Sequence, residues 1–222
     1  MTARLAAAGL ALVLVLAACT AEPTPTPKPD CPTGPPVATA DAILEGADLA
    51  NVTVTGAVEG EFAFELYGDR APIATANFVA LARCGFYDGI WFHRVIAGFV
   101  IQAGDPQTKT RTGDFDGIGT GGPGYGFQVE PPAQGLNYIQ YSVAMANDTQ
   151  ANGSQFFISL VDLAGRLDMF YTIFGQVTSG TDVVDAIGQV PVNDPQVGVP
   201  LEQVTIESIV ISSASEPAPS GS

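Results

Sequence analysis

Positive charge is scarce in this chain: eight Lys and Arg stand against 23 Asp and Glu, a formal charge of −15 over 222 residues. Such a surface is not steered towards phosphate backbones, which argues against a nucleic-acid binder. Charge of either sign is thin, at 14%, against roughly a quarter in ordinary globular proteins. One histidine, His93, and three scattered cysteines are too few for a dedicated zinc site, and no histidine is placed in sequence as the base for a catalytic thiol. No apolar run reaches the roughly 20 residues needed to span a bilayer, and no segment repeats. With 25 Gly and 17 Pro, a helix bundle is excluded. What is present is a 46% apolar composition, enough for a substantial core. The length admits one domain with appendages, or two small ones. A Gly-rich, mostly β domain is the expectation.

The amino terminus reads as an address. Arg4 precedes an uncharged run over 5–18, which fits the apolar region of a signal peptide. The run ends Leu16-Ala17-Ala18-Cys19, which resembles a bacterial lipobox. That resemblance implies cleavage after residue 18 and lipidation of Cys19 by a diacylglycerol and further acyl chains of the palmitate type, enough for stable anchoring. An ordinary secretory signal or a short transmembrane anchor is the alternative. Loss of 1–18 removes Arg4 and no acidic residue, leaving a balance of −16. The expected location is the extracytoplasmic face of the cell membrane. Residues 20–36 hold seven prolines and favour an extended polyproline II spacer. The linker is taken as 19–47, the folded domain as 48–213 and a disordered tail as 214–222. Once Cys19 is lipidated, Cys31 and Cys84 remain, and the compartment permits a disulfide between them.

Alternation predicts strands at Asn51–Thr55 and Glu61–Tyr67, the latter with Phe62, Phe64 and Leu66 on one face. A helix is predicted from Arg70 to Arg83, with Pro72 in its first turn and Gly85 as its stop. Further β-rich runs are Ile90–Ile96, Phe99–Gln102, Tyr141–Ala146, Phe156–Leu160, Tyr171–Val177 and Val204–Ser212, with a short helix at 182–187. Seven or eight strands with two helices, one near each end, point to a closed or nearly closed antiparallel β-barrel capped by helices, with a sandwich as the alternative.

Three segments concentrate chemistry. In Phe92–Asp105 a strand, a glycine turn and a second strand bring Arg94, Phe99 and Gln102 near one another. Ala144–Ile158 is dense in Asn and Gln before an aromatic pair, and Leu167–Gly175 follows. Taken singly, each also reads as plain structure: a barrel-surface arginine, an Asn152-Gly153 turn, core phenylalanines. Together, FHRVIAGFVIQAGD, MAN…NGSQFFI, Gly119-Thr-Gly-Gly122 and Asn77-Phe78…Gly85–Gly89 resemble the cyclophilin family of peptidyl-prolyl cis–trans isomerases over about 50–212.

The resemblance implies a mostly β fold, a closed eight-stranded antiparallel β-barrel capped by two α-helices, and acceleration of X–Pro bond rotation without cofactor or metal. It implies that Arg94 donates to the prolyl nitrogen, that Gln102 orients Arg94 and contacts the substrate backbone, and that the Asn147 backbone holds the residue before proline. Phe99, Val100, Phe157, Leu167 and Tyr171 would line the proline pocket. Ala146 and Gln155 would border the neighbouring pocket, with Gly119 and Thr120 on its opposite rim. The implied partners are proline-containing, unfolded or extended polypeptides, bound by a monomer that assists folding of secreted or envelope proteins. A non-catalytic Pro-peptide adaptor on the cell surface is the alternative.

Departures from the family pattern are Val100 in place of Met, Tyr171 in place of His, and Arg166 in place of a Trp that contributes to cyclosporin binding. The last predicts low sensitivity to that drug. Residues 107–118 form a longer loop, expected to be a solvated insertion. His93 is expected to be buried and hydrogen-bonded, and Trp91 to be structural.

Overall fold

The computed structural model describes residues 27–37, 39–110, 117–148 and 151–214. Cys19 and the expected signal 1–18 lie outside the described residues, as do 111–116 of the long loop and 215–222 of the tail.

The elements, in chain order, are α1 (Ala40–Leu44), β1 (Leu49–Gly56), β2 (Gly60–Leu66), α2 (Pro72–Arg83), β3 (Arg94–Ile96), β4 (Val100–Ala103), a 3-10 helix (Pro106–Thr110), β5 (Phe127–Gln128), β6 (Ser142–Asp148), β7 (Ala151–Ser159), β8 (Ile173–Ser179), α3 (Thr181–Ile187) and β9 (Val204–Ser212). Every strand pair is antiparallel. The sheet runs β3-β4-β7-β6-β8-β2-β1-β9, with β5 paired to β7 off this path. The fold is therefore mostly β, one curled antiparallel sheet with few helices, and not a sandwich.

Two parts of the fold expectation need correction. The strands number nine among the described residues, because the two-residue β5 carries no alternation to betray it. The two ends of the path share no continuous ladder. They meet through one bridge, Trp91 with Thr205, flanked by backbone bonds joining Gly89, Ile90 and Phe92 to Val204 and Ile206. Residues 90–92, predicted as strand, are spent on that meeting, and β3 begins only at Arg94.

Helix α2 starts where Pro72 needs no amide partner. Its buried face, with Phe78, Val79 and Leu81, packs onto the main core inside the curled sheet. There Phe78 meets Phe64, Tyr87, Phe156 and Phe174 at centroid distances of 5.1–5.6 Å. Glu130 caps the helix start, accepting from Ile73 N at 3.1 Å and Ala74 N at 2.7 Å.

The segment assigned as linker is folded along its second half. Helix α1 lies within it, and Arg83 donates to Ile43 O at 2.6 Å. Cys31 and Cys84 form a disulfide, and Lys28 pairs with Asp88. Proline content concealed this, because α1 begins only after the last of the prolines. The long loop also departs from a fully solvated insertion. Its first part is the 3-10 helix, whose buried Thr108 accepts the Trp91 indole N–H at 2.7 Å. Among the described residues, no helix is long and apolar enough to cross a membrane.

Candidate active site

Successive residues of a strand face opposite sides of a sheet. In β7, Phe156 points into the main core while Phe157 belongs to a second apolar cluster with Val100, Tyr138, Ala144, Leu163 and Ile173. In β4, Ile101 faces inward with Phe156, so Val100 and Gln102 face outward with Phe157. Register then does the rest: Arg94 pairs with Gln102, Gln102 with Phe157, and Phe157 with Ala144. Four strands thus carry one row of side chains across the outer face, at steps of about 4.8 Å.

This row floors a cavity of about 290 Å³ lined by Arg94, Phe99, Val100, Gln102, Ala146, Asn147, Phe157, Leu167 and Tyr171. The turn between β3 and β4 needs Gly98 at φ 67°, a conformation that suits glycine. It brings Phe99 beneath the Arg94 guanidinium at 5.8 Å. A bulge between Met145 and Asn147 breaks the β6 ladder. It turns Ala146 and Asn147 towards the cavity, a device common beside functional sites. The Asn147 side-chain nitrogen is buried there without a partner among the described residues. The Tyr171 ring stands edge-on to Phe157 at 5.4 Å and 87°.

A second cavity of about 530 Å³ adjoins the first and shares Gln102, Ala146 and Asn147 with it. Gly119, Thr120 and Gln155 line it, together with Tyr125, Asn152, Gly153 and Ser154. Gln155 is the joint between the two. Its Nε2 donates to Gly119 O at 2.9 Å and Gly121 O at 2.8 Å, and its Oε1 accepts from Gln102 Nε2 at 2.9 Å.

Sequence reasoning missed the group beneath this loop. Buried Asp105 accepts from the amides of Gly119 at 2.6 Å, Gly121 at 3.2 Å and Gln107 at 2.8 Å. A side chain on Gly121 would collide with that carboxylate. Asn152-Gly153 is not a turn either, since both residues lie inside β7. Asn152 donates to Thr172 Oγ1 at 2.9 Å, and Gly153 O accepts from Asn77 at 2.9 Å.

Arg94 is half-buried, and burial lowers its pKa, opposed by nearby Tyr171; a guanidinium nevertheless stays charged in proteins. Among the described residues, no carboxylate lies within ion-pair distance of it. Nor, among the described residues, does its guanidinium donate to the Gln102 side chain, whose amide nitrogen itself donates to Gln155 Oε1. The two residues are direct partners across β3 and β4, without a side-chain hydrogen bond between them among the described residues. Phe99 supplies the contact under the cation, and the register fixes its neighbour.

His93 is buried, as expected, but neither ring nitrogen has a hydrogen-bond partner among the described residues. Burial pushes its pKa down to about 4; Asp105 pulls the other way, Arg94 adds to the lowering, and Gln155 weakly favours the charged form. It is a neutral structural ring rather than a proton carrier. Arg166 is exposed and outside the lining of either cavity. Among the described residues, no group of three or more His, Cys, Asp or Glu side chains could hold a metal ion.

A family model described as cyclophilin type peptidyl-prolyl cis-trans isomerase/CLD matches residues 50–211. The chain belongs to this family. Peptidyl-prolyl cis-trans isomerase B of Streptomyces anulatus is 42% identical over 171 residues, covering 68% of this chain and 91% of the relative. A probable peptidyl-prolyl cis-trans isomerase A of Mycobacterium bovis is 38% identical over 203 residues, covering 82% and 98%. A cyclophilin type isomerase of Cryptosporidium parvum superposes with a TM-score of 0.65 at 30% identity, over 77% of this chain and 99% of that one. A second crystal structure of that isomerase, in the presence of the dipeptide Ala-Pro, gives a TM-score of 0.64 at 31% identity. This cyclophilin is accordingly a peptidyl-prolyl cis–trans isomerase.

Proposed function

We propose that this cyclophilin holds an X–Pro segment across the outer row of β3, β4, β7 and β6, and that Arg94 stabilises the amide halfway through its rotation. The barrier, about 18–20 kcal/mol, is the loss of conjugation between the amide nitrogen and its carbonyl. In the twisted state the prolyl nitrogen pyramidalises and gains a lone pair. A donor aimed there binds the twisted state better than either planar isomer, which is what accelerates exchange. No proton transfer or covalent step is required.

The observation that carries this reading is the row itself. An arginine without a carboxylate partner among the described residues stands beside Gln102 and Phe157 over an apolar cavity. A free guanidinium keeps its N–H groups for a ligand, whereas a paired one would not. Phe99, Val100, Phe157, Leu167 and Tyr171 suit a pyrrolidine ring. The Gln102 side chain and the Asn147 backbone suit the flanking peptide. The Ala-Pro dipeptide used with the Cryptosporidium relative supports a proline-containing ligand.

The clients are secreted or envelope polypeptides, reached from the membrane surface through lipidated Cys19 and the Pro-rich spacer. The disulfide supports an oxidising compartment. Two experiments test the reading. In a proline-isomerisation assay, wild type accelerates exchange and Arg94→Ala loses most of the acceleration; equal rates would overturn the mechanism. In cells fed labelled palmitate, the wild type carries label in the membrane fraction and Cys19→Ser does not; label on both would overturn the anchor.

A further inference from the structure

The proline pocket takes two of its lining residues, Leu167 and Tyr171, from one stretch of chain between β7 and β8. That stretch contains no strand or helix, so something else must hold it against the sheet. Tyr138 touches both of its ends. Its backbone carbonyl accepts Leu163 N at 2.8 Å, and the Leu163 carbonyl accepts Leu167 N at 3.1 Å. At the other end, the Tyr138 hydroxyl donates to Tyr171 O and accepts from Tyr171 N, both at 2.9 Å. One phenol therefore satisfies both backbone groups of the residue whose ring forms the pocket wall. The Tyr138 side chain is fully buried. It sits beneath that wall, with ring centroids 6.5 Å from both Phe157 and Tyr171. Burial raises its pKa, so the hydroxyl keeps its proton and keeps donating.

We infer that Tyr138 is a positioning residue of the isomerase site, a clasp on the 163–171 segment that acts through Tyr171 and sets the width of the proline pocket. The inference rests on the assignment of that pocket in the proposed function. Removing the hydroxyl while keeping the ring should let Tyr171 turn away from Phe157. Proline binding then weakens while Arg94 and its row stay in place.

The test is a double-mutant cycle on the full chain with a proline-containing peptide, using Tyr138→Phe, Tyr171→Ala and both together. In Tyr138→Phe the expected change is a rise in KM of about fivefold or more, since both hydrogen bonds of the hydroxyl to Tyr171 are lost, with kcat nearly unchanged. In the Tyr171→Ala background the same substitution should add nothing further, because the residue it acts through is already gone. A purely structural tyrosine would lower thermal stability and leave KM alone, and that outcome would overturn the inference. Additive losses in the two backgrounds would also overturn it. An inactive wild type would instead overturn the proposed function, which keeps the two failures apart.

Discussion

Phe156 and Phe157 are neighbours in the chain and opposites in the fold. Phe156 meets Phe78 and Tyr87 inside a closed aromatic core, at 5.6 and 5.7 Å. Phe157 looks outward, flanked by Gln102 and Ala144 across the ladder and by Tyr171 at 5.4 Å. The inner face is mostly apolar and tolerates little change of volume. The outer face mixes rings with one cation and two side-chain amides. A single sheet thus divides stability from chemistry by parity alone.

The largest expected effect sharpens that division directly. Phe156→Ala should cost about 3–5 kcal/mol of stability in denaturant unfolding, as expected for an aromatic removed from a packed core. Molecules that remain folded should keep near-normal turnover. Phe157→Ala should cost less stability and lower kcat/KM by tenfold or more. Equal turnover losses at the two positions would break the comparison.

The amino-terminal clamp belongs to neither face and should affect stability alone. Replacing both Cys31 and Cys84 by Ser removes the constraint on a 53-residue separation. That should cost up to about 4 kcal/mol by loop entropy while leaving kcat/KM unchanged. Free-thiol titration under denaturing, non-reducing conditions should find neither Cys31 nor Cys84 reactive in the wild type.

His93 offers a pH version of the same comparison. In the unfolded chain it takes a proton near pH 6.5; in the fold it resists until about pH 4. Between those values the unfolded state binds more protons, so stability should fall as pH falls from 6.5 towards 4, by roughly 3 kcal/mol at most. As the single histidine in the sequence, it can be isolated by His93→Leu, which should flatten most of the slope above pH 5. A wild-type slope that survives the substitution would refute the assignment.

The smallest effect concerns the rim. Arg166 is exposed where an indole would offer a drug-binding face. Inhibition by cyclosporin should require far more than nanomolar drug, and Arg166→Trp should tighten it several-fold. Nanomolar inhibition of the wild type would contradict this.

Legibility followed the same parity. Alternation in Phe62-Ala-Phe-Glu-Leu66 marked β2, Pro72 marked the start of α2, and Val204–Ser212 matched β9 end to end. The row of Arg94, Gln102 and Phe157 was legible as a long motif. Its alignment on one face was not, because register is a property of paired strands and is not carried by either strand alone. What stayed hidden acts through backbone. Asp105 binds three amides, and Tyr138 binds both backbone groups of Tyr171. Asp105 ends a recognised motif that names no partner for it, and Tyr138 lies in no motif at all. Helix α1 was obscured by the prolines before it, and β5 is too short to alternate.

The central claim is that Arg94 acts on the rotating amide and not on binding. The direct measurement is exchange spectroscopy on a saturating proline peptide, giving the cis–trans rate of the bound ligand separately from its Kd. In Arg94→Ala, the bound exchange rate should drop by about 100-fold or more, the usual cost of losing one transition-state donor, with Kd within a few-fold of wild type. A variant that binds the peptide far more weakly, yet turns it at the wild-type rate once bound, would contradict the account.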